Sequence, residues 1–317
     1  LDNSTIFDGT WSARAGARGL VIMGGDNIND WIIVEDLSIW SFINGIDIQG
    51  RTIWSTFRRI FIVDALQAGF NCDSTRVVNH CIFELVSVKA CGQHGMYFRQ
   101  QGGGTAPTFQ TLTFLNCNPE GNGLDVTASE VSGLHLENVE EAVIINLYAE
   151  NNGVLSIDNK SAGLRIKGTY MYNPTIQGGY LVGSDYGLVI EGTTLRGGGI
   201  SGTRIDYTSA YGISISANGG SEKFKLGENL VAGTGLGNYN LPNDGSGNFS
   251  FMSDTADPGV WVTPATTPTT LDVSNNAGFT FNVATAVLIN SITRRMPGQH
   301  IYIYNLGAGT ITIDASL

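Results

Sequence analysis

Charged residues are scarce in this sequence. Only 14% of its 317 residues are Asp, Glu, Lys or Arg, and the formal net charge is −11. An acidic chain repels DNA and RNA overall, which excludes nucleic acid as a partner, whereas local Arg and Lys clusters can still hold an acidic sugar. Because 42% of the residues are hydrophobic, we predict a folded chain rather than a disordered one.

Long apolar runs, cysteine and histidine are scarce as well. No stretch of about 18 apolar residues occurs, so insertion into a membrane is not predicted. The four cysteines form no C-x-x-C pair, and only four histidines are present. These features argue against a zinc site. We predict four buried free thiols, no metal and no cofactor.

Glycine, by contrast, is abundant, with 42 residues, and several glycines lead the strand-like pattern apolar, any, apolar. The glycines of this repeat are Gly45, Gly69, Gly95, Gly123, Gly153, Gly187 and Gly212. The steps between them run from 69 − 45 = 24 to 187 − 153 = 34 residues. Gly163 falls inside the longest step, and we interpret it as the start of a second strand within that repeat.

The repeat predicts the fold. Apolar residues such as Val86 and Val88 alternate with others, and no segment has a 3.6-residue period. Units of this length bury their apolar faces by stacking on one another. Cys91 and Cys117 are 117 − 91 = 26 residues apart, one coil, and are predicted to stack. We predict an all-β chain built on a right-handed parallel β-helix; a β-propeller, the rival, needs blades of about 40 residues.

Three segments are predicted along the chain. Residues 1–220 form the parallel β-helix, which carries glycan binding and catalysis. Residues 221–248, rich in Gly and Asn, form a linker. Residues 249–317 contain short alternating runs such as FTFNV and HIYIYNL, which predict a small C-terminal antiparallel β domain.

Three groups of motifs carry a family resemblance. They are the glycine-led strands GLDV, GLVI and GISI, the strand endings FLNCNPEGNG and LYAENNG, and the closing run MPGQHIYIYNLGAGTITID. In these the sequence resembles bacteriophage tailspike depolymerases, which belong to the pectate-lyase-like β-helix superfamily. The resemblance implies a homotrimer in the virion tail, joined to the virion by a further N-terminal part, with the C-terminal domain as cap or trimerisation module. It also implies an endo-acting glycosidase or lyase on a bacterial capsule or O-antigen.

Stacked coils place equivalent residues in columns. Positions two and four after each glycine alternate with apolar positions, so their side chains are predicted to face outward. Aromatic rings suit the flat face of a sugar, and Arg or Lys can bind sugar carboxylates or pair with acids in a surface ladder. The candidate substrate-binding residues are Asp73, Tyr97, Arg99, Tyr148, Arg165 and Lys167.

Four carboxylates are candidate catalytic residues. Glu120 and Glu150 each lie three residues before a repeat glycine, so adjacent coils would stack them about 5 Å apart. Retaining glycosidases use a separation of about 5–5.5 Å, and such proximity raises one pKa as a general acid requires. Asp125 lies near both, and Asp185 with Glu120 could provide the roughly 6.5–9.5 Å of an inverting pair.

Three functions therefore remain open from sequence. The leading prediction is endo-hydrolysis of a bacterial surface polysaccharide by two carboxylates. The second is a polysaccharide lyase, for which Arg99, Arg165, Tyr148 and His94 supply candidate bases and cations. The third is a receptor-binding protein that holds glycan without cutting it.

Overall fold

The structure is a computed structural model in which every regular element is a β-strand. It describes residues 6–8, 17–23, 29–74, 77–100, 109–153, 155, 160–216, 224–227, 229–240, 249–252, 270–272, 278–281, 287–289, 291–293, 302–305 and 311–313. Within these ranges no helix is present that could cross a bilayer. The strands stack in parallel as a β-solenoid, which confirms the predicted all-β parallel coil.

The glycine-led sheet has 14 strands. Its main column comprises Leu20–Ile22, Ile46–Ile48, Phe70–Ser74, Met96–Gln100, Ser132–Glu137, Ala162–Tyr172, Tyr186–Arg196, Tyr211–Ile215 and Gly237–Asn240. Short strands extend the early coils, namely Asn29–Asp30, Thr52–Ile53, Val78–Asn79, Phe109–Gln110 and Val139–Glu140. The register pairs Tyr97 with Asn71 on one side and His135 on the other, and His135 in turn with Arg165. Residues of one outward column thus come from successive coils.

The bent sheet has 15 strands and closes the other side of the solenoid. Its early strands are Ile6–Asp8, Ile33–Trp40, Thr56–Val63 and Ile82–Lys89. Later coils divide the same path into two, giving Thr113–Leu115, Asn118–Glu120, Val143–Ile145, Tyr148–Glu150, Thr175–Gln177, Tyr180–Val182, Gly199–Ser201, Arg204–Asp206, Phe224–Gly227, Leu230–Ala232 and Phe249–Met252.

A left-handed residue sits at the bend in several successive coils of this sheet. Arg59 and Leu85 have φ of 52° and 53°, and later coils use Asn116 and Asn146 in this place. Asn tolerates the left-handed region better than larger side chains do. The bend shifts the alternation by one residue, so apolar side chains on both sides of it point inward.

Phenylalanines form a stacked ladder in one part of the core. Phe83 stacks between Phe57 and Phe114, with ring centroids 5.2 and 4.9 Å away, and meets Phe70 and Phe98 edge-on. Identical residues in successive coils stack because parallel strands are in register.

The four cysteines are buried free thiols, as predicted. Burial raises the pKa of Cys91 and Cys117 to about 12, so both stay protonated at neutral pH. The predicted stacking of Cys91 on Cys117 is wrong. The register pairs Ser87 with Asn118, and the backbone of Cys91 binds the Asn122 side chain instead.

The glycine column differs from the predicted one at two coils. A Cβ on Gly95 would lie 2.6 Å from the carbonyl oxygen of Gly133, and one on Gly133 would lie 2.7 Å from that of Gly163. The column therefore runs from Gly95 through Gly133 and Gly163, with steps of 133 − 95 = 38 and 163 − 133 = 30 residues. Gly123 instead approaches Gly153, in a separate place.

Parallel pairing continues beyond residue 220. Phe224–Gly227 pairs with Gly199–Ser201 and with Phe249–Met252, so strands of the solenoid occur inside the predicted linker, 221–248. The last described strands are Thr270–Asp272, Gly278–Phe281, Val287–Ile289, Ser291–Thr293, Tyr302–Asn305 and Ile311–Ile313. Their three pairings are also parallel, so the antiparallel arrangement predicted for 249–317 is not confirmed for these strands.

Candidate functional site

A cavity of about 440 Å³ opens on the outward side of the glycine-led sheet. One wall is the strap, residues 121–131, which connects Asn118–Glu120 to Ser132–Glu137. The strap is tied to the preceding coil by hydrogen bonds from the Asp125 amide to the Gly92 carbonyl and from the Leu124 amide to the Cys91 carbonyl. The cavity is lined by Gln93, His94, Tyr97, Arg99, Thr127, Ala128, Ser129, Glu130, His135, Glu137 and Lys167.

Three aromatic rings form one side of the cavity. His94 and Tyr97 stack face to face, with centroids 4.3 Å apart and planes 5° from parallel. His135 meets both edge-on, at 5.2 and 4.9 Å. Burial raises the pKa of Tyr97, so its phenol stays neutral. A neutral aromatic surface of this kind can pack against the C–H face of a sugar ring.

Two carboxylates of the cavity have opposite electrostatic surroundings. Burial raises the pKa of Glu137, although Arg99 and Lys167 act against it. Burial also acts to raise the pKa of Glu130, but the hydrogen bond and charge of Lys167, with Arg165, outweigh it and lower this pKa. The Lys167 ammonium lies 2.8 Å from Glu130, whereas Arg99 is 3.8 Å from Glu137. One site thus holds a carboxyl that retains its proton more readily and one that loses it more readily.

The predicted binding cations have different positions. Arg99 and Lys167 both line the cavity, and Arg99 pairs in register with Asp73 on the neighbouring strand. Arg165 is only 1% exposed, because its guanidinium is bound within the protein by Glu191, at 2.7 Å, and by the Lys160 carbonyl. Arg165 is therefore a buried structural cation rather than the surface ligand that the sequence predicted.

Glu120 and Glu150 lie on the bent sheet. They are register partners on adjacent strands, so the predicted stacking in neighbouring coils is present. Glu120 binds Lys89 at 2.6 Å. Glu150 accepts a hydrogen bond from the Tyr148 hydroxyl, which raises the pKa of Tyr148 to about 12. None of Glu120, Tyr148 and Glu150 lines the cavity, so the structure does not bring them together with Tyr97, Arg99 and Lys167.

Asp125 and Asp185 hold turns. Asp125 is at the surface of the strap and accepts hydrogen bonds from the Thr127 amide and hydroxyl, at 2.9 and 2.7 Å, which lower its pKa. Asp185 accepts from the amide and hydroxyl of Ser161, at 2.9 and 2.8 Å, and from the Ser209 hydroxyl. Asp185 thus joins turns of three successive coils, so we assign it a role in stabilising the fold.

Replacement of Asp185 by Ala is expected to destabilise the protein by about 1–3 kcal/mol, because the partly buried donors of Ser161 lose their acceptor. Urea unfolding measures this loss, and Asp185→Asn, which keeps one acceptor oxygen, should lose less. If instead both variants unfold at the same urea concentration as the wild type, Asp185 does not hold these turns and our structural assignment is wrong.

Sequence reasoning missed Glu130, His135 and Glu137. His135 and Glu137 stand two and four residues after Gly133, the places that Tyr97 and Arg99 occupy after Gly95. The signal was Gly133-Leu134-His135-Leu136, which has the repeat pattern, but Gly123-Leu124-Asp125-Val126 has it too. Choosing the earlier glycine moved that coil out of register. Glu130 carries no repeat signal, since it belongs to the strap.

Among the described residues, no group of three or more His, Cys, Asp or Glu side chains is arranged to hold a metal ion. Comparisons of the chain with protein-family models, with curated proteins and with solved structures found no match.

Proposed function

We propose that this protein is an endo-acting glycoside hydrolase that cuts a bacterial surface polysaccharide in the cavity beneath the strap. The observation that carries the proposal is that one aromatic-walled cavity is lined by both Glu137 and Glu130, whose pKa values are shifted in opposite directions. Two carboxyl groups with pKa values set apart by their surroundings are the usual acid and base of glycoside hydrolysis.

Each carboxyl has a defined step in this proposal. In its protonated form, which the raised pKa favours, Glu137 donates its proton to the glycosidic oxygen as the bond to the anomeric carbon breaks. Glu130, ionised by Lys167, either attacks the anomeric carbon or removes a proton from an attacking water. In both routes water supplies the oxygen at the new reducing end, and Glu137 regains a proton before the next turnover.

The other lining residues fit substrate positioning. Tyr97 presents an aromatic ring backed by buried His94, and Arg99, which lines the cavity, is half exposed and can reach a sugar hydroxyl or carboxylate. The four residues that a lyase could use as base or cation are less suited as a set. His94 and Arg165 are already bonded within the protein, and Tyr148 lies outside the cavity, which leaves Arg99 there. A bacterial capsule or O-antigen as polymer, the homotrimer and the virion tail stay predictions from the family resemblance.

Cleavage is expected to have a bell-shaped pH dependence. Activity should fall as pH rises through the elevated pKa of Glu137, which must carry a proton, and fall as pH drops through the lowered pKa of Glu130, which must be ionised. Replacing Lys167 by Met removes the cation that lowers the pKa of Glu130, so the acidic limb should move to higher pH. Initial rates across a pH series measure this.

Lys89→Met is the matched control, because Lys89 pairs with Glu120 on the bent sheet. Its profile should coincide with that of the wild type. An acidic limb that stays in place in Lys167→Met, or moves equally in both variants, contradicts the assignment of Glu130.

The function itself is tested with a panel of purified capsular polysaccharides and O-antigens. Hydrolysis predicts new reducing ends without ultraviolet absorbance from an unsaturated sugar. Unsaturated products would support a lyase, and tight binding with unchanged polymer length would support a receptor-binding protein. Either result would overturn the proposal.

A further inference from the structure

His135 is an unusual residue in this cavity. It occupies the outward column of the glycine-led sheet, between Tyr97 and Arg165 in register, and it lines the cavity. Its side chain is nevertheless only 4% exposed. A polar ring in this column is therefore enclosed between the sheet and its neighbours rather than solvated.

Neither ring nitrogen of His135 has a hydrogen-bond partner within the part of the chain that the structure describes. The contrast with His94 is direct, since its Nδ1 accepts a hydrogen bond from the Ser132 amide at 3.2 Å. Buried polar groups are nearly always paired, and those left without a partner call for an explanation such as function. A ligand that supplies the partners would remove the cost of burying them.

We propose that His135 is a specificity-determining residue that hydrogen-bonds a hydroxyl group of the sugar bound in the cavity. This inference rests on the proposed function, and it names the chemical group of the sugar that the cavity recognises.

The chemistry of the ring selects the ligand. A neutral imidazole has one donor and one acceptor nitrogen. Burial, with His94 and Arg165 nearby, lowers the pKa of His135 well below its ordinary value, which keeps the ring neutral. A hydroxyl both donates and accepts, so it can pair with whichever nitrogen faces it. A carboxylate can pair only with the donor, and an ammonium only with the acceptor.

The ring can reach a ligand by turning. Its contacts with His94 and Tyr97 are edge-on packing contacts, and no hydrogen bond among the described residues fixes its orientation. The proposed contact requires the ring to turn about its side-chain bond until a nitrogen faces the cavity, which the ring already lines. His94 is not free in this way, since rotation would break its bond to Ser132.

The proposal is tested by nuclear magnetic resonance of the protein with ¹⁵N-labelled histidine. The probes are the methyl glycosides of glucose, galactose and N-acetylglucosamine, each added up to saturation. At least one of them should shift the His135 ring nitrogens while those of exposed His80 stay in place. Unchanged His135 resonances with every probe would overturn the proposal.

Variants separate recognition from structure. His135→Phe removes both unpaired nitrogens. This variant should fold with unchanged or higher thermal stability, while its affinity for the methyl glycosides weakens roughly tenfold. His135→Gln, which keeps a donor and an acceptor, should recover part of the binding. His94→Phe is the contrasting variant, and it should lose stability because the Ser132 amide loses its acceptor. Lower stability with unchanged binding in His135→Phe would make His135 structural and end the proposal.

Failure here and failure of the proposed hydrolysis have different signatures. If the glycosides bind at His135 but no polymer yields new reducing ends, the proposed hydroxyl contact stands and the proposed hydrolysis fails. If His135→Phe cleaves glycan as well as the wild type, the proposed hydrolysis stands and the proposed contact fails.

Discussion

Replacing Glu137 by Gln is expected to lower the rate of glycan cleavage about 10²- to 10⁴-fold, because the amide cannot donate a proton to the leaving oxygen. The substitution keeps the shape of the side chain and leaves an oxygen facing Arg99, so binding should be little changed. Reducing-end release under saturating polymer gives the rate, and equilibrium binding of the same polymer shows whether the bound state survives.

Glu120→Gln is the matched control for this substitution. Glu120 is a carboxylate on the bent sheet that is bound to Lys89, and its side chain is 34% exposed against 24% for Glu137. The Glu120→Gln variant should therefore cleave at the wild-type rate. The opposite pattern, full activity in Glu137→Gln and loss in Glu120→Gln, would place the chemistry at the Glu120/Glu150 pair that the sequence predicted. It would then be the bent sheet that holds the active site.

Replacing Phe83 by Ala is expected to destabilise the protein by about 3–5 kcal/mol. Phe83 is fully buried and touches four other phenylalanines from its own and neighbouring coils. The neighbouring rings belong to hydrogen-bonded strands and cannot move in to fill the space, so a cavity remains. In a stack of coils the loss acts mainly at the interfaces on either side.

Urea unfolding measures the loss, and hydrogen exchange shows where it acts. In Phe83→Ala, hydrogen exchange should speed up relative to the wild type more for the amides of Thr56–Val63 and Ile82–Lys89 than for those of Tyr186–Arg196. Ile82→Ala is the control, since Ile82 is the adjacent residue but is 40% exposed and faces outward. A loss in Phe83→Ala no greater than in Ile82→Ala would contradict the account of the core.

The coil architecture could be predicted from sequence because its signal is local and repeated. A glycine followed by alternating apolar residues marks a turn and a half-buried strand in successive coils, as at Gly69 and Gly95. Burial of the four thiols followed from the same reasoning, since a chain with no metal-binding spacing leaves cysteine to pack as a small apolar residue.

Register through the strap could not be predicted in this way. Gly123 and Gly133 begin equally good patterns ten residues apart, and the choice depends on which one pairs across coils. The structure pairs Met96 with Leu134, and Leu134 with Leu164, contacts that no local pattern encodes. Leu124 and Val126, which looked like inward residues, are 49% and 60% exposed. The candidate site followed this choice, so Glu137 was missed.

Whether the strands near the C-terminus pair in parallel or antiparallel could not be predicted from the sequence, for a different reason. Alternation shows that one face of a strand is covered, but parallel and antiparallel neighbours cover it equally well. Gly278–Phe281 and Tyr302–Asn305 alternate clearly, yet they pair in parallel.

The strap lengthens one coil without disturbing the next. The coil between Gly95 and Gly133 is longer than the coil before it. Met96 nevertheless pairs in register with Leu134, just as it pairs with Phe70 in the shorter coil. The length of one coil and the register of its neighbours are thereby uncoupled. Exposed strap residues such as Leu124 and Val126 can therefore be exchanged without a change in the stacked coils beneath, whereas buried Asn122 and Val131 hold the strap to those coils.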